Sequence, residues 1–372
     1  MIRVSEPDIG KEELNNVIEA VKSGFISGTH GKFLREFESE FAKYCGVKYG
    51  VTTSSGTTAL HLAMESIDLK KGDEVIIPAC TNIATALAVV YAGAKPIVVD
   101  IETDTWNMSV NKVKDSITSR TKAILPVHIY GHPVDMEEII DIAEKQNIWI
   151  VEDCAEAHGA EYKNKKVGGL GDIGCFSFYA NKIITTGEGG MIVTDNKKVA
   201  ELSANLKDLA FDKKRRFRHE RLGFNYRMTN VQAAIGLAQL KKIDSIVAKK
   251  RKMAEAYNNL LKDIEGITLP VEKPWAKNVY WMYSILIKKS FGINRETLRN
   301  KLSDKGIETR IMFIPMHQQP ALRNMGYYKS DKHPVSERIG REGLYLPSGT
   351  TLEDKEIQFV CETIKDIKNE IK

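Results

Sequence analysis

The chain has 372 residues, long enough for about two domains. Its 42% hydrophobic and 28% charged content is that of an ordinary folded protein, and no uninterrupted apolar stretch approaches the roughly 20 residues that a membrane span needs. A net charge of +5 makes no case for a nucleic-acid partner. The opening Met-Ile-Arg-Val-Ser-Glu-Pro-Asp lacks an apolar signal segment, so a cytoplasmic location is expected. Cys45, Cys80, Cys154, Cys175 and Cys361 form no C-x-x-C pair, which argues against a zinc site and a disulfide framework.

Leu14, Val17, Ile18 and Val21 recur at helical spacing over Glu13–Val21, before a stop at Gly24. A second helix carries Phe33, Phe37, Phe41 and Tyr44 on one face and ends at Gly46. Short apolar runs then alternate with helical patterns: Glu74–Pro78, Pro96–Asp100, Ala123–Val127 and Ile148–Glu152. Such alternation predicts an α/β fold with a mostly parallel central sheet flanked by helices. Ligands of these sheets bind beyond the carboxyl ends of strands, and Asp100, His128 and Asp153 all follow strand-like runs. His128 and His132 have the spacing of a helical metal pair, but Gly131 and Pro133 make the segment a loop, and no metal site is expected. A long helical pattern from Val231 to about Leu261 leads into a smaller α+β part. That part holds a strand-like Val279–Ile287, a helix near Glu296–Lys305 closed by Gly306, and a C-terminal helix. The expected division is a large α/β domain over 1–240 and a small α+β domain over 241–372.

Three segments carry chemistry. Ser54-Ser-Gly-Thr-Thr58 lies between an apparent strand and the helical Ala59–Met64, where backbone amides and hydroxyls suit a phosphate, although Ser-Gly-Thr also makes an ordinary helix cap. Asp153 follows an apolar run, and a buried carboxylate needs a cationic or hydrogen-bonding partner. A protonated pyridine nitrogen would serve, as in pyridoxal phosphate; a helix cap is the plainer alternative. Lys182 sits between two apolar runs, costly as a buried cation unless its neutral amine is wanted for covalent chemistry with a carbonyl. The glycines of Gly187-Glu-Gly-Gly190 precede an apolar run, the wrong order for a dinucleotide fingerprint, and no Walker loop occurs. The basic run of residues 213–221 is a solvated loop or a site for an anionic ligand such as a diphosphate.

Phosphate cradle, carboxylate and lysine stand in the order of one group of pyridoxal phosphate enzymes. The segments Ser55–Ala63, Glu152–Ala160, Phe176–Gly190 and Gly223–Ala234 resemble the DegT/DnrJ-type nucleotide-sugar aminotransferases, which have the fold-type I architecture. The resemblance covers nearly the whole chain. It implies that Lys182 binds pyridoxal 5'-phosphate as a Schiff base, that Asp153 pairs with the ring nitrogen, and that Glu156 lies near the ring hydroxyl. It further implies that Gly56, Thr57 and Ser177 hold the phosphate, and that Asn225 reaches the cofactor of a neighbouring subunit in a homodimer with shared sites. Many relatives carry a stacking aromatic where this chain has Asn82. A branch that dehydrates its substrate replaces the lysine by histidine; Lys182 therefore favours transamination from L-glutamate to a nucleotide-linked keto sugar.

Pro274–Ser284 and Ile307–Gln318 resemble the perosamine synthase branch, which aminates GDP-4-keto-6-deoxymannose, and similar stretches occur in enzymes of UDP- and dTDP-linked sugars. His317, Arg215 and Arg218 are the candidate substrate contacts. Trp275, Lys277, Tyr280 and Trp281 are not nominated, because an aromatic stripe in a strand is more often core. Three other readings stay open: a cofactor-dependent sugar dehydration, a non-catalytic ligand sensor, and nucleic-acid binding through residues 213–221.

Overall fold

All four apolar runs enter one seven-stranded sheet of the computed structural model, which describes residues 1–212, 214–328 and 331–371. Its strands are β1 (Tyr49–Thr53), β2 (Glu74–Pro78), β3 (Lys95–Val99), β4 (Thr121–Ile124), β5 (Trp149–Asp153), β6 (Ile173–Ser177) and β7 (Gly190–Thr194), in the order β1-β7-β6-β5-β4-β2-β3. Only β7 runs against its neighbours, pairing antiparallel with β1 and β6. The runs lack alternation because both faces are covered: every residue of β2, β6 and β7 is buried. Helices Lys32–Cys45 and Gly56–Ser66 supply Phe37, Phe41, Leu60 and Leu62 to the core on this sheet.

A second core gathers Tyr257, Tyr283, Ile285, Phe291, Leu298, Leu302, Ile357, Val360 and Ile364. It is built on an antiparallel four-stranded sheet, in the order Ile267–Thr268, Ser284–Ile287, Gly343–Tyr345, Arg310–Ile311. The chain start joins this body, since Ile2 bridges Ile307 and Ser348 donates its amide to the Val4 carbonyl.

The structure corrects three expectations. The Val231–Leu261 pattern is two helices, Asn230–Lys241 and Ile243–Leu261, broken at Lys242 where φ/ψ is −110°/8°. The strand expected over Val279–Ile287 exists only from Ser284, because Tyr280 has φ +47°, and the amides of Val279 and Trp281 instead bond the carbonyls of Gly131 and Tyr130. Leu14, Ile18 and Val21 do lie on a helix, Lys11–Lys22, but 58%, 42% and 56% of each remains exposed, while Glu13 and Ala20 are the residues it buries.

Candidate active site

The carboxyl ends of β5 and β6 and the head of helix Gly56–Ser66 meet at a cleft of about 330 Å³. Ser55 caps the helix, its hydroxyl accepting the Thr58 amide at 3.1 Å. The amides of Gly56 and Thr57 have no acceptor among the described residues, which leaves the helix head with two donors for an anion. Ser177, last in β6, stands against this turn, and a Cβ at Gly56 would lie 2.6 Å from the Ser177 Cβ. Glycine is required for that approach.

Asp153 ends β5 with its carboxylate buried; Oδ2 accepts the Thr85 hydroxyl at 2.9 Å and Oδ1 the Ala155 amide at 3.1 Å. Glu156, three residues on, is also buried and accepts the Tyr130 amide at 2.8 Å. Lys182 lies in the turn between β6 and β7, its N–H donating a hydrogen bond to the Tyr179 carbonyl at 2.9 Å, and lines the same cleft. Burial lowers the lysine's pKa, against the pull of Glu156 and Asp153. Burial raises Asp153 despite its hydrogen bonds and the Lys182 charge, and it pushes Glu156 up to about 7 against the same charge. A lysine driven toward its neutral form beside two carboxylates is an amine set up for nucleophilic and proton-transfer work. Beneath them His158, enclosed by Phe41, Phe176 and Phe178, is pushed down to about 3 by burial and the Lys182 charge, and so stays neutral.

Gly56, Thr57, Asp153, Glu156, Ser177 and Lys182 are thus brought together, and the others nominated from the sequence are not. Asn225 is exposed on the segment that bridges Asp208. Arg215 and Arg218 are exposed, the latter paired with Glu220 at 3.1 Å, and Lys213 lies outside the described residues. His317 is 2% exposed and does not line the cleft: the tight turn Met316–Gln318 points it inward, where Nε2 meets Glu337 at 3.0 Å. Asp100 and His128 are likewise structural. Asp100 accepts the amides of Val335 and Ser336 and the Ser336 hydroxyl. His128 accepts the Val134 amide at Nδ1, so Nε2 donates to Glu152, whose carboxylate also takes the amides of Gly168, Leu170 and Gly171.

Sequence reasoning missed Thr85, Arg310, Phe313 and Tyr345, and it set Trp281 aside as core. Arg310 and Phe313 do fall in the Ile307–Gln318 stretch singled out by resemblance, and Trp281 falls in the other. Asn82 lines the cleft but spends its Oδ1 on the Ala84 amide as a helix cap, at 3.0 Å.

Residues 7–365 match the model of the DegT/DnrJ/EryC1/StrS aminotransferase family. The chain belongs to this family. It is an aminotransferase with the α/β architecture of that group. It is similar to the GDP-perosamine synthases of Escherichia coli O157:H7 and Caulobacter vibrioides, at 43% and 40% identity, each alignment covering 98% of both chains. Among solved structures it resembles S. venezuelae DesV, determined in complex with a ketimine intermediate, with 34% identity, a TM-score of 0.90, and coverage of 96% of this chain and 94% of that one.

Proposed function

We propose that this aminotransferase moves an amino group from L-glutamate to C4 of a nucleotide-linked 4-keto-6-deoxy sugar, with pyridoxal 5'-phosphate as cofactor and GDP-4-keto-6-deoxymannose as acceptor. The observation that carries the reading is the meeting of Lys182, Asp153 and Glu156 with the free amides of Gly56 and Thr57 in one cleft. The GDP sugar is supported by the full-length likeness to proteins named GDP-perosamine synthase.

The residues present fit the cofactor. Gly56, Thr57 and Ser177 offer donors of the kind a phosphate needs, and Gly56 leaves the space for a close approach. Asp153, raised in pKa by burial, would be satisfied by a protonated ring nitrogen; Glu156 stands ready for the ring hydroxyl. When bound, that ring supplies an electron sink for the carbon that loses its proton. Lys182 would hold the cofactor through its amine, and the same amine, when free, would be the base that moves a proton in the transfer. A guanidinium could do neither at neutral pH, since it does not give up its proton. Asn225, Arg215 and Arg218 act, in this reading, at the cleft of a second subunit of a homodimer. The body formed by residues 1–240 carries the cofactor, and residues 241–372 close the cleft from the side of Arg310 and Tyr345.

Incubating the holoenzyme with L-glutamate and, in turn, GDP-, UDP- and dTDP-4-keto-6-deoxy sugars, with product masses recorded, tests the assignment. The GDP sugar should gain an amino group most rapidly. Amination of none of the three refutes the proposal, and a deoxygenated product without nitrogen would establish dehydration in its place.

A further inference from the structure

Trp281 is 4% exposed and belongs to the segment that failed to form a strand. Its indole ring faces Lys182, whose Nζ lies 3.9 Å from the ring centroid, inside the range of a cation–π contact. Every polar atom of the tryptophan is engaged. Its amide donates to the Tyr130 carbonyl at 2.9 Å, and Nε1 donates to the Asn181 carbonyl, next to Lys182, at 2.7 Å. Its carbonyl accepts Lys250 Nζ at 2.8 Å. Tyr130 stacks on it with planes 10° apart. The ring plane is therefore fixed from several sides.

Lys250 is itself unusual. It is 5% exposed on helix Ile243–Leu261, has no ion-pair partner among the described residues, and spends its protons on the carbonyls of Trp281 and Ser348. Burying such an amine is costly, and a shorter apolar side chain would fill the space without that cost. What the lysine adds is a tie between the helix and the tryptophan backbone.

We propose that Trp281 is a positioning residue for amino transfer: its indole face is the platform on which the Lys182 amine rests whenever it is not bonded to another group, with Lys250 clamping that platform from behind. The inference rests on Lys182 being the residue that bonds the cofactor. Because the Nε1 acceptor is the carbonyl of the residue just before Lys182, the indole holds both the loop and the amine it carries.

The contact has a directional consequence, since an aromatic face favours the ammonium over the neutral amine. Asp153 and Glu156 act in the same sense, and burial acts against it. Lys250 of helix Ile243–Leu261, His158, and Glu6 and Asp8 of the first segment also face this region, as do Glu188 and Arg310 at the cleft. None of these changes when the tryptophan is replaced.

Competitive labelling with acetic anhydride of the full-length, cofactor-free protein, read on the Lys182 peptide by mass, gives the midpoint of that amine. Trp281→Leu should lower it by about one pH unit, and Trp281→Phe, which keeps an aromatic face, by less than half as much. Since more of the amine is then neutral, added pyridoxal phosphate should form its visible band up to about tenfold faster at pH 7 in Trp281→Leu than in the unaltered protein. An unchanged midpoint, or slower band formation, overturns the proposal, for a purely structural tryptophan would only misplace the lysine. Should the leucine variant fail to fold, intrinsic fluorescence carries the test. The unaltered protein must show a titration absent from Lys182→Met, and its absence from the unaltered protein overturns the platform. The two readings fail separately: Lys182→Ala that keeps the visible band refutes the cofactor assignment, whatever the labelling midpoints show.

Discussion

Glu156 sits three residues after Asp153, near Lys182, accepting one amide and making no ion pair among the described residues. Burial is the main reason its carboxyl is pushed up to about 7, and the Lys182 charge only moderates it. The direction fixes a pH dependence. Between an unfolded carboxyl near 4.5 and the folded one near 7, the folded chain holds a proton that the unfolded chain has lost, so stability falls as pH rises through that window and the full penalty persists above it. Glu156→Gln removes the ionisation while its amide oxygen can still accept the Tyr130 N–H. Thermal melts of the cofactor-free protein should therefore show the variant level with the unaltered chain below about pH 4.5 and more stable by about 1–3 kcal/mol above pH 7. Lys182 loses a favourable neighbour in the same variant, which trims the gain. A difference that stays flat with pH would mean that Glu156 ionises normally.

Elements whose periodicity reflects their own burial were legible in the sequence; those set by distant partners were not. The four strand runs were readable because both sheet faces are covered and the residues are correspondingly apolar. Asp153 and Lys182 were readable because each is a charged group beside apolar runs, whereas Glu156 came only from the family resemblance. The loss of strand over residues 279–283 depends on carbonyls of residues 130 and 131, about 150 positions away, and no local pattern encodes it. Asp100 illustrates the same limit. Its place at the end of β3 suggested chemistry, yet its carboxylate caps helix Pro334–Glu342, from the other part of the chain, through Val335, Ser336 and the Ser336 hydroxyl. Burial raises its pKa, but those hydrogen bonds outweigh it and the net shift is downward, so the stability it gives is present above its ordinary range and is lost as pH falls through its lowered value. Asp100→Ala strands three amides, of Ile101, Val335 and Ser336, and a hydroxyl, and should cost about 3 kcal/mol at neutral pH; Asp100→Asn, which keeps one acceptor, should cost less. Denaturant titration at pH 7 measures both, and a loss under about 0.5 kcal/mol in the alanine variant would show that the helix is held by its apolar contacts alone.

At the scale of the whole molecule, three of the residues that the sequence nominated and the cleft does not contain share one trait; the fourth, His317, is buried. Asn225, Arg215 and Arg218 are exposed on a single segment, near the exposed Phe217 and Leu222. Elsewhere Leu14, Ile18, Val21, Phe25 and Ile26 present apolar side chains to solvent, a contiguous set in sequence that a stable monomer would be expected to cover. Both observations fit a homodimer in which each subunit completes the other's cleft. Such sharing predicts complementation. Lys182→Ala and Asn225→Ala homodimers should each be nearly inactive. When the two are mixed in equal amounts and allowed to exchange subunits, half of the dimers combine both kinds, and in these one cleft draws its lysine from one chain and its asparagine from the other. That cleft is intact, and its companion lacks both groups. Activity should therefore recover to about one quarter of the unaltered protein's. If each cleft were complete within its own chain, every lysine-bearing subunit in the mixture would still lack its asparagine, and no recovery would occur at any mixing ratio.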